Sequence, residues 1–223
     1  DGSDRREFAV PYLPFYIAWS PTGDKLAYLS RWQAIDGPSM ALRLVEPAAP
    51  TASEPVTGTA DFDPTVTGRV VTLANGAPFY FAWAPTGDRL LTHIESERVE
   101  LQGVDGDKES VIISGGAFTA PGWLADGKRI LYAAADAVTQ RLLLAGLDGA
   151  DPRELTTYDG RGNFVPSPDG QQVAYVLTDR DTAANTLGPL YVVEPDTLRT
   201  RELAGDSVMA FFWSPDSRNL AYL

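Results

Sequence analysis

One segment constrains this chain more than any other: Trp19-Ser-Pro-Thr-Gly-Asp-Lys-Leu-Ala-Tyr28, the first of five variant copies of one pattern. The other copies start at Trp83 (Trp-Ala-Pro-Thr-Gly-Asp-Arg-Leu-Leu), Trp123 (Trp-Leu-Ala-Asp-Gly-Lys-Arg-Ile-Leu-Tyr), Pro166 (Pro-Ser-Pro-Asp-Gly-Gln-Gln-Val-Ala-Tyr) and Trp213 (Trp-Ser-Pro-Asp-Ser-Arg-Asn-Leu-Ala-Tyr). Successive copies lie 64, 40, 43 and 47 residues apart. A period of about 40–50 residues decides the architecture before any other signal, because each repeat buries its apolar faces only against its neighbours.

Each unit reads as four strands. An apolar first strand runs into the Trp position, as in Phe15–Trp19 and Phe79–Trp83. In the turn that follows, Pro presets φ and Gly supplies a positive φ. Second strands are expected at Lys25–Ser30, Arg89–Ile94, Arg129–Ala134, Gln172–Leu177 and Asn219–Leu223, all rich in Leu, Val and Tyr. Third strands follow at Met40–Glu46, Arg98–Val104, Arg141–Leu147 and Leu190–Glu194. The fourth strands, Arg69–Leu73, Glu109–Ile113, Arg153–Thr157 and Leu198–Leu203, are more polar, which suits an outer edge that must not pair with another chain. No helix-length apolar pattern of period 3.6 is present. The expected fold is an all-β propeller of four-stranded antiparallel blades, one domain over residues 1–223.

The extra length of the first interval falls in the Pro-, Thr- and Ala-rich stretch 47–68, read as a loop insertion between the third and fourth strands of the first full blade. Arg31–Ser39 and Asp179–Pro189 are read as long loops from second to third strands. Residues 1–10 match the turn and strand at 105–113, so an N-terminal strand is expected, followed by four complete blades and two more strands. At four strands per blade this falls short of a closed ring of five or six. The expectation is a chain incomplete at both ends, part of a six-bladed ring or an incomplete five-bladed one. Alternatively, the N-terminal strand completes the last blade.

Charge and composition exclude several classes. A net charge of -12 argues against nucleic acid and against anionic membrane surfaces. No run of eighteen apolar residues exists, so direct membrane insertion is not expected. With no cysteine, disulfides, thiolate metal sites and a cysteine nucleophile are ruled out, and the chain suits an oxidising compartment.

At Trp19–Tyr28 and Trp213–Tyr222 the chain resembles the TolB-like propeller repeat, with consensus Trp-Ser-Pro-Asp-Gly-Lys-x-Ile-Ala-Phe/Tyr. The resemblance covers almost the whole chain. Pro166 in place of Trp, Leu124-Ala125 in place of Ser-Pro and Ser217 in place of Gly are the departures. It implies a fold rather than an activity. Such repeats occur in the periplasmic TolB propeller, in propellers preceding prolyl-oligopeptidase-like hydrolase domains and in secreted bacterial proteins.

Reactive groups are few. His93 is the single histidine, which cannot build a triad or a multi-histidine metal site, and it reads as an ordinary strand residue. No Gly-x-Ser-x-Gly element or Gly-rich phosphate loop is present. The pairs Asp61/Asp63, Asp105/Asp107 and Asp179/Asp181 lack calcium-loop spacing and read as turn residues. No catalytic residue, cofactor or metal is expected.

The candidate contact surface is the set of loops entering each first strand, which surround the channel mouth in a propeller. They are 11–15, 75–79, 115–121, 159–163 and 205–209, and together with the residues directly flanking them they carry Tyr12, Tyr16, Tyr80, Phe118, Tyr158 and Arg161. Aromatic and Arg side chains are those that protein-contact hot spots favour. Phe15, Phe79, Phe81 and Phe211 are expected to pack between blades. The leading functional reading is a non-enzymatic propeller, periplasmic or extracellular, that docks a protein or peptide on its channel face or rim. A role as accessory subunit of a cell-envelope complex is a variant of it. The alternative is the gating propeller of a prolyl-oligopeptidase-like serine hydrolase whose catalytic domain lies outside this chain.

Overall fold

The structure is a computed structural model describing residues 10, 12–34, 37–46, 69–115, 117–136, 139–178 and 188–223. The expected N-terminal strand, the insertion 47–68, and the pairs Asp61/Asp63 and Asp179/Asp181 lie outside the described residues.

Among the described residues every regular element is a strand, and the strands form consecutive antiparallel meanders. The first blade is β1 (Pro14–Trp19), β2 (Leu26–Ala34), β3 (Gly37–Glu46) and β4 (Arg69–Asn75). The second is β5 (Pro78–Trp83), β6 (Arg89–Ile94), β7 (Arg98–Gly103) and β8 (Lys108–Ile113). The third is β9 (Gly122–Trp123), β10 (Arg129–Ala135), β11 (Gln140–Gly146) and β12 (Arg153–Tyr158). The fourth is β13 (Gly162–Pro166), β14 (Val173–Leu177), β15 (Gly188–Val193) and β16 (Thr200–Val208). A hairpin of β17 (Phe211–Trp213) and β18 (Leu220–Tyr222) follows. In each complete blade the first and fourth strands are the two edges, as the polar fourth strands anticipate.

Two expected loops are strands instead. Within the expected loop Arg31–Ser39, residues 31–34 belong to β2 and 37–39 to β3, with Arg31 opposite Met40 and Trp32 opposite Ser39. Continued cross-strand pairing carries this hairpin past the point where the apolar pattern fades. Gly205–Val208, read as a mouth loop, is the end of β16, and Val208 pairs with Gly188. Register shifts within that pairing let β16 run on past the polar stretch.

The core sits between blades rather than within them. Ala27, Leu29, Leu42 and Leu44 of the first blade meet Phe81, Leu90 and Ile94 of the second. Leu91, Val99 and Leu101 of the second meet Trp123, Ile130 and Tyr132 of the third. Leu131, Leu142 and Leu144 of the third meet Phe164, Val173 and Tyr175 of the fourth. Ala174, Val176 and Leu190 of the fourth meet Phe211 and Trp213. Alternation along each strand sends successive side chains to opposite faces, so each inner strand of a blade serves two interfaces.

The repeat motif does two jobs in this packing. First, it closes the hairpin between first and second strands. The backbone bonds Ser20 N to Lys25 O (2.8 Å) and Gly23 N to Ser20 O (2.9 Å) recur at Ala84, Leu124, Ser167 and Ser214. The residue after the corner is left-handed in every copy: φ is 75° at Gly23, 72° at Gly87, 64° at Gly127, 72° at Gly170 and 61° at Ser217. The third copy, lacking Ser, closes through Asp126, whose Oδ1 accepts from Lys128 N (2.8 Å) and Arg129 N (3.0 Å). The departures in sequence therefore keep one geometry.

Second, the Trp clasps the preceding blade. The Trp83 indole Nε1 donates to Ala18 O (3.2 Å), Trp123 Nε1 to Ala82 O (3.1 Å) and Trp213 Nε1 to Val165 O (3.0 Å). Each acceptor directly precedes the Trp position of its own blade. It lies on the first strand of its blade, an edge of the sheet, so the indole bond ties one blade's edge to the next. The turns also nest: a Cβ on Gly170 would lie 2.9 Å from the Ala125 backbone nitrogen of the preceding turn, so both φ and space hold that corner to glycine.

Candidate functional site

At the end of the blades opposite these turns, the chain enters each first strand. There the structure gathers three aromatic rings from two blades. Phe79 and Tyr80 lie at the start of β5, and Phe118 lies in the loop 115–121 that leads to β9. Ring centroids are 4.7 Å apart for Phe79 and Phe118, 5.0 Å for Phe79 and Tyr80, and 5.4 Å for Tyr80 and Phe118. Phe79 is 42% exposed and Phe118 47% exposed.

Phe79 was expected between blades, as was Phe15, yet both face solvent. The cause is a local bulge. Pro78 pairs with Ile94 and Tyr80 with His93, so Phe79 is an extra residue opposite a single step of β6. The same shift between Pro14 and Tyr16 frees Phe15. A bulge redirects the side chain out of the alternation that would bury it. Phe81 and Phe211, beyond the bulges, are buried between blades as expected.

His93 forms the floor of the cluster. It is fully buried on β6, with ring centroids 5.6 Å from Phe118 and 6.1 Å from Tyr80. Its Nε2 donates to Ala117 O at 2.8 Å, tying the loop that carries Phe118 to the second blade. The neutral ring thus bears its proton on Nε2, and the buried Nδ1 has no partner. Burial pushes the His93 pKa below its ordinary value, with the Ala117 hydrogen bond opposing. Protonation would bury a second N–H without an acceptor, so the unfolded chain takes up this proton more readily than the folded one. Stability from this residue is complete above about pH 6.5 and falls as pH drops below it, by up to about 1.4 kcal/mol per pH unit. His93→Gln keeps a donor for Ala117 and should flatten that part of the profile. Urea unfolding of both proteins at roughly pH 7.5 and roughly pH 5 checks this, and equal losses would refute it.

The remaining predicted contact residues scatter. Tyr16 is half-exposed and sits edge-on to Phe81 at 5.2 Å, apart from the cluster. Tyr12 covers the buried Arg43, whose guanidinium carbon lies 4.3 Å from the Tyr12 ring centroid and 5.4 Å from that of Trp32. The Arg43 Nη1 donates to Ser30 Oγ. Tyr12 thus serves a cation–π contact within the first blade. Tyr158 is a correction: it is buried in the core between third and fourth blades, its hydroxyl 3.5 Å from Thr119 Oγ1. Its place at the end of β12 turns the ring inward, against Gly162. Arg161 is exposed, its backbone N–H bonded to Thr178 Oγ1 at 3.0 Å. The signal for Phe79 was its adjacency to Tyr80, but its exposure depends on a register that sequence does not display.

Among the described residues, no group of three or more His, Asp and Glu side chains is placed to hold a metal. Among the described residues, no helix is long and apolar enough to cross a membrane. The buried carboxylate of Glu100 on β7 is neutralised locally, by Arg98 Nε at 2.8 Å and Lys108 Nζ at 3.0 Å. Burial raises its pKa, but these two cations hold it below the ordinary carboxylate value.

No family model and no curated protein matches the chain. Solved structures do. TolB from Acinetobacter baumannii aligns at TM-score 0.56 and 15% identity, over 94% of this chain and 48% of its own. An oligogalacturonate lyase in complex with manganese aligns at TM-score 0.62 and 13% identity, over 97% of this chain and 63% of its own. A chain of a nidogen/laminin complex aligns at TM-score 0.56 and 13% identity, over 92% of this chain and 70% of its own. The chain therefore spans about half of that TolB and under two thirds of that lyase. At these identities the likeness is one of fold: the protein is an all-β propeller of four-stranded antiparallel blades, TolB-like in architecture.

Proposed function

We propose that this chain is a non-enzymatic binding propeller that docks a protein or peptide on the aromatic cluster of Phe79, Tyr80 and Phe118. The carrying observation is the cluster itself. Three rings in mutual contact, two of them more than two-fifths exposed, rest on a buried histidine and a bulge. Rigid aromatic surface of this kind supplies contact area at low entropic cost and is typical of binding hot spots. The neighbour from a nidogen/laminin complex supports a partner-binding use of the architecture. The proposed setting is periplasmic or extracellular, as an accessory subunit of a cell-envelope complex, which suits an acidic, cysteine-free chain.

Capture of partners from a native envelope fraction tests this. The wild-type chain should retain a defined protein, and Phe79→Ser combined with Phe118→Ser should weaken retention at least about tenfold, since each truncated anchor costs upwards of about 1 kcal/mol. Undiminished capture by a folded double variant would refute the proposed surface.

A further inference from the structure

The outer rim of the second blade departs from the others. The fourth strands β4, β8, β12 and β16 are edges of their sheets, each paired on one side only. An unpaired edge is a template for another strand, and charged side chains normally guard it. β12 carries Arg153 and Glu154, and β16 carries Arg201 and Glu202, all exposed. β8 ends instead in Val111-Ile112-Ile113, with Val111 48% and Ile113 71% exposed. Among the described residues, no other fourth strand bears a large exposed hydrophobic side chain.

The free hydrogen-bonding groups of β8 follow from its register. Ser114 N donates to Glu97 O (2.6 Å), so these two residues form a bonded pair. Bonded and non-bonded pairs alternate along an antiparallel ladder, and this one runs Arg98–Ile113, Val99–Ile112, Glu100–Val111. Ile112 therefore turns its N–H and C=O towards Val99, whereas those of Val111 and Ile113 point off the edge of the sheet. The side chain of Ile112 is buried against the third blade. A register shift beyond Ser110 interrupts the strand and limits the free stretch to its apolar end.

We infer that β8 is a self-association edge, paired antiparallel with β8 of a second copy about a two-fold axis at Ile112. In that register Val111 of each copy lies opposite Ile113 of the other. The two outward N–H groups and two outward carbonyls of each copy then meet their counterparts in four hydrogen bonds. The same pairing lays Val111 beside Ile113 twice, covering the exposed apolar surface with β-branched cross-strand pairs. Ser110 falls opposite Ser114, and Lys108 and Glu109 fall outside the paired stretch, so no like charges face each other within it. The strand is its own complement, which is what argues a second copy as the occupant. A contact that uses the same patch on both copies closes at two. It is small, and each copy carries a net charge of -12, so association is weak and strengthens as salt screens the repulsion. It does not depend on the aromatic cluster binding anything.

Sedimentation of the chain tests this: monomer at about 1 μM, and a dimer that dominates towards about 0.5 mM. Ile113→Lys puts a charge on the edge and should weaken the dimer at least about tenfold. Val111→Pro should do likewise, because it removes an outward N–H that β7 does not use. In the wild type, the Val111 and Ile113 amides should exchange about threefold more slowly in the concentrated sample than in the dilute one, with Ile112 slow in both. Phe79→Ser combined with Phe118→Ser should dimerise like the wild type, which separates this edge from the proposed partner surface. Four results would each overturn the inference: a monomer at about 0.5 mM, a dimer indifferent to a folded Ile113→Lys, Val111 and Ile113 amides indifferent to concentration, or a dimer lost with the aromatic cluster.

Discussion

Trp123→Ala is expected to destabilise the folded chain by about 3–5 kcal/mol, the range for truncating a large buried aromatic. Trp123 is only 8% exposed and packs among the residues that join the second and third blades. Its indole also donates to the Ala82 carbonyl of the preceding blade. Both losses fall on one interface, so the effect exceeds that of a ring removed from a flexible surface. Trp19→Ala, by contrast, should cost less than about 0.5 kcal/mol, because surface substitutions away from such features are nearly neutral. Trp19 occupies the equivalent repeat position, yet it is 56% exposed. Chemical unfolding of the two variants checks the pair, and similar losses for both would contradict the inter-blade account.

Gly115→Ala should be as damaging as many core truncations, about 3 kcal/mol or more, although it adds a single methyl group. Gly115 has φ +61°, and a Cβ there would lie 2.2 Å from the Ala135 carbonyl oxygen. The conformation alone costs an L-residue about 1–2 kcal/mol. The clash is with backbone, so no rotamer relieves it. The loop must move, loosening the bonds from Ser114 N to Glu97 O (2.6 Å) and from Ala135 N to Ser114 O (2.7 Å). That loop carries Phe118 and the Ala117 carbonyl bound by His93, so near-ultraviolet circular dichroism should register loss of aromatic packing along with the stability. A Gly115→Ala variant within about 0.5 kcal/mol of wild type would show that the loop is not held as described.

The repeat made the hairpin turns and most strand positions legible. Pro, Gly and Asp in the motif act through local φ preferences and short-range hydrogen bonds, which sequence displays directly. Even Ser217, a departure in composition, keeps the left-handed corner of its four counterparts. Features that depend on register or on neighbouring blades were not legible. Phe15 and Phe79 looked like core residues, because their exposure follows from one unpaired residue in each first strand. Tyr158 looked like a surface residue, because its burial depends on the fourth blade packing over the end of β12. Of the candidate contact residues, Tyr80 and Phe118 do come together, and their partner Phe79 had been assigned to the core.

Hydrogen exchange of the indole N–H groups tests the central claim, that tryptophan indoles clasp the second blade to the first, the third to the second and the closing hairpin to the fourth. The Trp83, Trp123 and Trp213 indoles each donate to the preceding blade, while the Trp19 ring is 56% exposed. The account predicts slow exchange for the first three, at least about tenfold slower than Trp19, since roughly 1.4 kcal/mol of protection corresponds to that factor. Exchange of Trp123 as fast as that of Trp19 would contradict it.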